Sequence, residues 1–328
     1  MSRALDSGTK ASLRSGDPTA AYQAISDVLM SSRDGLLEIE ILGPTHLGAG
    51  QYVVRDGSAV GIPKIGLVKA FLVARKHLRD HLDGATPLTE DAVLAATAVI
   101  LLLDPEYLTA ANSRKRLIQR QLSLDGDAHS RLQRERRFVD SLLTSRLHRH
   151  TKSPTLWSHR RWLLGEFQKF GMPVDALGDI TTVVFVAGER HPRNYYAWCH
   201  ARLLVSLDKR PNDQEILAAV KTWCFQHHTD ISGWSFLHFL LRLDDGRDTE
   251  AACSIFDEVL KLVSSLSLAN ESVWVFLRTL AASGLVGDKQ FAQLVDIQQS
   301  LLGTLNTLTD QAVLQAAVDW CQTYRYRT

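Results

Sequence analysis

The stretch RNYYAWCHARLLVSL, Arg193–Leu207, decides the fold because the chain repeats its pattern. Three other runs align with it on a shared tryptophan: KSPTLWSHRRWLL on Trp157, DISGWSFLHFLLR on Trp234 and NESVWVFLRTLAA on Trp274. A fifth run, EYLTAANSRKRLI, has Ala111 in the tryptophan position. The positions 111, 157, 198, 234 and 274 are 46, 41, 36 and 40 residues apart. A period of about 40 residues fits one pair of antiparallel helices per repeat.

The rest of the chain after residue 63 has the same helical character. Segments of roughly 12 to 20 residues with helical periodicity are separated by short joints such as DGATP, FGMP and DKRPND. Partner helices are predicted at Val174–Gly188, Asp213–Gln226 and Thr249–Leu266. The pattern therefore predicts an all-α body of antiparallel helix hairpins over residues 64–328.

The first 63 residues have a different pattern. Residues 1–20 are rich in Ser, Gly, Thr and Ala, which predicts a flexible tail. Residues 21–63 are predicted to hold an N-terminal helix followed by an extended, irregular or β-like arm. Within that arm, LLEIEILG and QYVVRDG alternate apolar and polar residues and predict either a small hairpin or an extended segment.

Composition excludes several classes of protein. The formal net charge of the 328-residue chain is +1, which gives no electrostatic argument for binding nucleic acid or an anionic membrane. The apolar run Ala92–Leu103 is too short to span a bilayer, and MSRALDSGTKASLRSGDP lacks the apolar core of a signal peptide. The four cysteines form no CxxC pair, which favours free thiols over a metal site. We therefore expect a cytoplasmic chain without a membrane span.

Helical spacing gives each tryptophan run a buried face. Trp157, Leu164 and Phe167 lie at i, i+7 and i+10, so the tryptophan is predicted to be a wedge between helix layers. Arg160 follows Trp157 by three residues, and Arg114 holds the same place in the Ala111 run. Such an arginine either pairs with a carboxylate on the adjacent helix or caps the carbonyls at a neighbouring helix end. The sequence leaves both alternatives open.

These runs resemble the repeats of protein prenyltransferase alpha subunits, whose pattern is Asn-Tyr-x-x-Trp-x-x-Arg. The resemblance covers about residues 95–285. Leu101–Ile118, Lys152–Leu164 and Asp230–Leu241 are most similar to the alpha subunit of geranylgeranyltransferase type III. The resemblance implies a right-handed superhelical crescent of helix hairpins that wraps a beta subunit.

The resemblance also implies an activity. The chain is expected to be the alpha subunit of a heterodimeric geranylgeranyltransferase that acts only with a Rab-type beta subunit. That enzyme would transfer geranylgeranyl from its diphosphate to a C-terminal cysteine of an acceptor such as a farnesylated SNARE. Zinc is expected in the beta subunit and no cofactor in this chain. The alternative is a non-catalytic helical-repeat scaffold derived from the same family.

Residue by residue, the resemblance points to a small catalytic set. Lys152 has the position of the family's diphosphate-binding lysine, and Tyr195 matches a tyrosine that faces the active site. Tyr196 replaces the family's histidine, and Pro154 replaces its tyrosine. The expected catalytic residues are Lys152, Tyr195 and Tyr196. The expected structural residues of the repeats are Trp157, Arg160, Asn194 (a helix N-cap), Trp198, Trp234 and Trp274.

One basic segment has two interpretations. Arg131–His150 carries six arginines among apolar residues at helical spacing. The segment is either a solvated helix face or a docking face for an acidic partner or for phosphates.

Overall fold

The computed structural model describes residues 16–31, 35–43, 50–124, 127–208, 213–243, 249–305 and 307–325, which form two compact units. The first unit contains the described residues up to Val174 together with Val186–His191. The second unit contains Asp175–Phe185 and the described residues from Pro192 onward. Most of the predicted tail lies outside the described residues.

The N-terminal part of the first unit begins with helix α1, Pro18–Met30. Asp17 caps this helix by accepting a hydrogen bond from the Thr19 amide at 2.7 Å, and proline suits the first helical turn. The helix therefore begins inside the stretch assigned to the tail. Helix α1 buries its apolar face against α2, Lys64–Leu82, and α3, Glu90–Leu103.

A small three-stranded sheet forms the predicted β-like arm. Its strands are β1, Glu38–Leu42, β2, Val54–Asp56, and β3, Ala59–Pro63, in the order β1-β3-β2. Strand β3 pairs in parallel with β1 and antiparallel with β2. Of the two alternatives for LLEIEILG and QYVVRDG, the hairpin is not formed, because both segments pair with β3 instead. Strand β3 was not predicted, and its five residues lead directly into α2.

Further helices complete the first unit. The order along the chain is α4, Leu108–Leu124, α5, Ala128–Leu143, α6, His148–Thr151, and α7, Pro154–Lys169. Helix α7 packs against both α4 and α5. The last residues of this unit come from α9, Phe185–Arg190, and the adjoining His191.

All regular secondary structure in the described part of the second unit is helical. Its segments are α8, Ala176–Asp179, a π-helical turn, Ile180–Val184, α10, Tyr195–Leu207, α11, Asp213–Gln226, α12, Ile231–Leu240, α13, Thr249–Leu266, α14, Glu271–Ala282, α15, Asp288–Thr304, and α16, Leu308–Tyr324. Helices α12, α14 and α16 pack in succession, and α13 packs against α15. The helical character of the body and the bounds predicted for α11 and α13 are confirmed.

Each tryptophan helix begins with the same N-cap arrangement. The residue four positions before the tryptophan accepts a hydrogen bond from the amide just before the tryptophan, which satisfies one unpaired donor of the first turn. The capping residues are Ser153, Asn194, Asp230 and Asn270. The tryptophans themselves are buried, as predicted, with 4% of Trp157 and 1% of the other three exposed.

The indoles of three repeats also hold the chain that enters the helix. The Nε1–H of Trp157 donates to the carbonyl of Thr151 at 2.8 Å. Trp234 and Trp274 make the same bond to the carbonyl six residues upstream, at 3.0 and 2.9 Å. Trp198 departs from this pattern, because its Nε1 has no acceptor among the described residues. Each indole bond fixes the turn before its helix from within the core.

Among the described residues, no helix combines the length and the apolar character that a membrane span requires.

Candidate functional site

The arginine position three residues after the tryptophan position holds a buried ion pair in the first repeat. Arg114 is 1% exposed, and its Nε and Nη2 donate to the two carboxylate oxygens of Glu135 at 2.9 and 2.5 Å. Its Nη1 donates to the Leu94 carbonyl at 2.6 Å and to the Thr97 hydroxyl at 3.0 Å. Of the two alternatives left open by the sequence, the ion pair is the one found, since the guanidinium pairs with the Glu135 carboxylate of α5. The Leu94 carbonyl that it also binds lies near the start of α3 and not at its C-terminal end.

The Glu135 carboxylate is ionised inside the core. Burial opposes its ionisation, but the Arg114 guanidinium and a hydrogen bond with His159 outweigh burial and lower the pKa of Glu135 to about 2. The His159 Nε2 lies 3.0 Å from Glu135 Oε1. Burial is also the main cause that lowers the pKa of His159. These three side chains are buried, and the group has a structural role.

The second repeat contains an equivalent pair. Arg160 Nε donates to Asp140 Oδ1 at 2.7 Å, and its Nη2 donates to Oδ2 at 3.3 Å. Glu135 and Asp140 both come from α5, within the basic segment, and the sequence prediction named neither. In the third repeat Ala201 occupies the arginine position, while Arg202 donates to the Ser235 carbonyl at 3.2 Å.

Lys152 lies on the surface of the first unit, directly after α6. It makes no hydrogen bond or ion pair with the described part of the chain. The next residue, Ser153, caps α7, and its hydroxyl also binds the carboxylate of Glu106. Pro154 then takes the first position of α7, where its missing amide costs no hydrogen bond. The departure at Pro154 therefore suits the helix start and leaves Lys152 exposed.

Two histidines lie beside Lys152. His148 is at the start of α6 and His191 follows α9, and their Nδ1 atoms are 2.8 Å apart. Their ring centroids are 4.3 Å apart. Burial lowers the pKa of His191, and the charges of His148 and Lys152 lower it further. Sequence reasoning missed the pair because 43 residues separate its members.

Tyr195 and Tyr196 open α10 in the second unit, and both side chains are exposed, Tyr195 by 69% and Tyr196 by 41%. Their rings meet edge to face at a centroid distance of 5.7 Å. A hydrogen bond with the Cys199 side chain raises the pKa of Tyr195. Asn194, by contrast, is buried and caps the helix. The three expected catalytic residues are thus on the surface, with Lys152 in one unit and the tyrosines in the other.

A cavity of about 710 Å³ lies within the first unit. Three arginines of α5 line it at i, i+3 and i+6, namely Arg131, Arg134 and Arg137. Carboxylates also line it, among them Asp91 and Glu135. Part of the basic segment therefore faces a cavity with charges of both signs. In the described residues, no group of three or more His, Cys, Asp or Glu side chains could hold a metal ion.

Two protein-family models match the part of the chain that contains the tryptophan helices. The protein prenyltransferase alpha subunit repeat matches residues 132–167, from α5 through most of α7. The ECM9 middle domain matches residues 156–266. Together these matched ranges contain Trp157, Trp198 and Trp234, the buried Arg160 and the exposed Lys152.

Three curated relatives are similar over part of their length. The protein prenyltransferase alpha subunit repeat-containing protein 1 of Homo sapiens is 33% identical over 177 residues, covering 47% of this chain and 41% of the relative. The Danio rerio protein of the same name is 29% identical over 178 residues, covering 47% and 39%. Protein ECM9 of Saccharomyces cerevisiae is 27% identical over 213 residues, covering 61% and 54%. The matched stretch thus spans about two fifths to one half of these relatives. The chain is related to proteins that carry the protein prenyltransferase alpha subunit repeat.

Proposed function

We propose that this chain is the alpha-type subunit of a cytoplasmic heterodimeric protein prenyltransferase of the geranylgeranyltransferase type III kind. The observation that carries the proposal is Lys152, an exposed lysine between α6 and α7 in the segment that matches the family repeat. It has the position of the lysine that meets the prenyl diphosphate in prenyltransferase alpha subunits. In the assembled enzyme the helix hairpins would form a right-handed superhelical crescent around a Rab-type beta subunit.

The reaction requires relief of negative charge on the departing diphosphate. The acceptor thiolate would attack C1 of geranylgeranyl diphosphate, forming a C–S bond while the C–O bond breaks and the electron pair leaves with the diphosphate. The beta subunit would supply the zinc that holds the acceptor sulfur as a thiolate. Lys152 would stabilise the charge on the leaving group, because a compact ammonium can approach phosphate oxygens closely.

The exposed tyrosines would contribute contacts without charge. The phenol of Tyr195 or Tyr196 can donate a hydrogen bond to a diphosphate oxygen, whereas the histidine expected at position 196 could also carry a proton. The acceptor would be a protein with C-terminal cysteines, such as a farnesylated SNARE. The edge-to-face packing of the two rings would limit their rotamers before substrate binds.

Co-expression with a Rab-type beta subunit tests assembly, and Lys152→Ala tests chemistry. We expect a stable heterodimer, and we expect Lys152→Ala to lower the single-turnover rate of transfer by about 10²-fold, as for loss of one oxyanion donor. Lys76→Ala is the matched control, since Lys76 is also exposed in the first unit. Elution of the chain alone at micromolar concentration would refute the heterodimer. Equal rates for both variants would remove Lys152 from the mechanism.

A non-catalytic scaffold is the second candidate. The changes at Pro154 and Tyr196 favour it, because both alter positions that face the active site in the family. A scaffold would still bind the beta subunit, but the complex would not transfer prenyl groups to any acceptor. The single-turnover assay therefore separates the two functions.

A further inference from the structure

We propose that His148 and His191 join Lys152 in one oxyanion site that takes the diphosphate of the prenyl donor. The choice of ligand rests on the proposed function, but the site itself is built from residues of this chain alone. Neither histidine belongs to the set expected from the family resemblance. The imidazole that the resemblance expects at position 196 is a tyrosine here, and this pair supplies imidazoles beside Lys152.

The local structure brings the three side chains to one surface. His148 begins α6, and Lys152 follows it by four residues at the end of the same turn, a spacing that puts both on one side of a helix. His191 approaches from the end of α9, where its amide donates to the Ala187 carbonyl at 3.0 Å. The effect of Lys152 on the pKa of His191 reflects this proximity. Three potential cationic groups, two imidazoles and one ammonium, thus lie near one another.

The two imidazoles are arranged as a proton-sharing pair. With Nδ1 atoms 2.8 Å apart, one ring must donate and the other must accept, so both cannot hold a proton on Nδ1 at this distance. Among the described residues, neither ring has a hydrogen-bond partner for its Nε2. These outer nitrogens remain for a ligand, and phosphate oxygens are acceptors that suit an N–H donor.

Binding of an oxyanion would raise the pKa of His191 and favour its protonated form. In the free chain, burial and the positive charges of His148 and Lys152 keep the pKa of His191 below its usual value. On its own helix the charged neighbours in sequence are Glu189 and Arg190. A bound diphosphate favours the protonated imidazole, because an opposite charge nearby stabilises the charged form. Binding should therefore take up a proton, and it should tighten as the pH falls from 8 to 6.

Titration of the full-length chain with inorganic diphosphate tests the site without any transfer reaction. We expect the imidazole ¹H–¹⁵N resonances of His148 and His191 to shift together on binding, with the pKa of His191 rising by about one unit. Lys152→Met should weaken the apparent affinity at least tenfold. His191→Gln should reduce the pH dependence of binding, because His191 is the imidazole that takes up the proton. His129→Gln is the control, since His129 is exposed on α5.

Two outcomes would overturn the proposal. One is that diphosphate leaves both imidazole resonances unchanged at millimolar concentration. The other is that sulfate and orthophosphate perturb them as strongly as diphosphate, which would remove the assignment to a diphosphate. In either case, a heterodimer that still transfers prenyl groups would keep the proposed function.

The assembled heterodimer gives the complementary readout. His148→Gln and His191→Gln should each lower single-turnover transfer several-fold, and the loss should be greatest at pH 6, where the pair carries a proton in the complex. If the free chain binds diphosphate through the pair but the heterodimer shows no transfer, the site stands and the proposed function fails. If transfer occurs with an unchanged pH profile in both variants, the site is refuted while the function survives.

Discussion

The buried Arg114–Glu135 pair gives the most discriminating test of the packing. Replacing Arg114 with Met removes two hydrogen bonds to Glu135 and leaves the Leu94 carbonyl without its arginine donor. Glu135 remains 4% exposed with a charge that has lost its main partner. Breaking a buried ion pair from one side costs about 3–5 kcal/mol in the free energy of unfolding.

The same helix provides a matched control. Arg120, also on α4, pairs with Glu90 at 2.8 Å, but 62% of its side chain is exposed. An exposed pair contributes about 0–1 kcal/mol, so Arg120→Met should be nearly neutral. The two variants remove the same side chain from one helix and differ chiefly in burial. Their difference in the free energy of unfolding should therefore be about 3 kcal/mol or more.

The pH dependence adds a second check on Arg114→Met. In the native chain the pKa of Glu135, about 2, is below its ordinary 4.5, so the stability from its ionisation is fully present above about pH 4.5 and is lost as the pH falls through 2. Without Arg114, burial raises the pKa of Glu135, because burial disfavours the charged carboxylate. The variant's deficit should thus be largest near neutral pH and should shrink towards pH 4.5.

Urea unfolding of both variants at several pH values measures these free energies. The double variant Arg114→Met, Glu135→Leu should recover most of the loss, because no charge then remains buried without a partner. A cost below 1 kcal/mol for Arg114→Met at pH 7 would refute the reasoning. So would a double variant that is less stable than the single one, since the uncompensated carboxylate would then not be the source of the loss.

The other predictions concern packing and acid stability. Gly233→Ala should cost about 1–3 kcal/mol, because the added Cβ would lie 2.6 Å from the Trp223 ring. Gly165→Ala, where a Cβ meets no atom within 4 Å, should instead stabilise by about 0.5–1 kcal/mol; equal effects in urea unfolding would contradict the close packing. Burial lowers the pKa of His150 to about 4, so the unfolded chain binds more protons between pH 6.5 and 4. Stability should fall by about 3 kcal/mol over that range, and His150→Asn should flatten the loss measured by urea unfolding.

Local signals in the sequence account for the parts of the fold that were predicted correctly. The bounds of α11, Asp213–Gln226, and α13, Thr249–Leu266, follow from helical periodicity between polar joints. The tryptophan positions align because each run also carries a capping residue at a fixed distance. These features depend on residues within one or two helical turns of each other, and sequence patterns predict such local structure best.

Strand β3, the buried carboxylates and the histidine pair were missed because they depend on long-range contacts. Strand β3 is short and is recognisable only by its two partners. Glu135 and Asp140 looked like solvated members of a basic helix, and only the packing of α4 and α7 turns them inward. The imidazoles of His148 and His191 meet across 43 residues. No pattern along the chain indicates which of the twelve histidines will pair.

The bonds from tryptophan indoles to carbonyls six residues upstream also bear on how repeats of this kind change in length. In these repeats the segment from that carbonyl to the tryptophan is closed by the indole hydrogen bond and contains the N-cap hydrogen bond. A residue inserted into this segment would therefore break both bonds. Successive tryptophan positions are nevertheless 36 to 46 residues apart. That variation must fall in the partner helices and the joints around them. Gains and losses of residues are thereby directed away from the start of these three tryptophan helices, including the turn that holds Lys152.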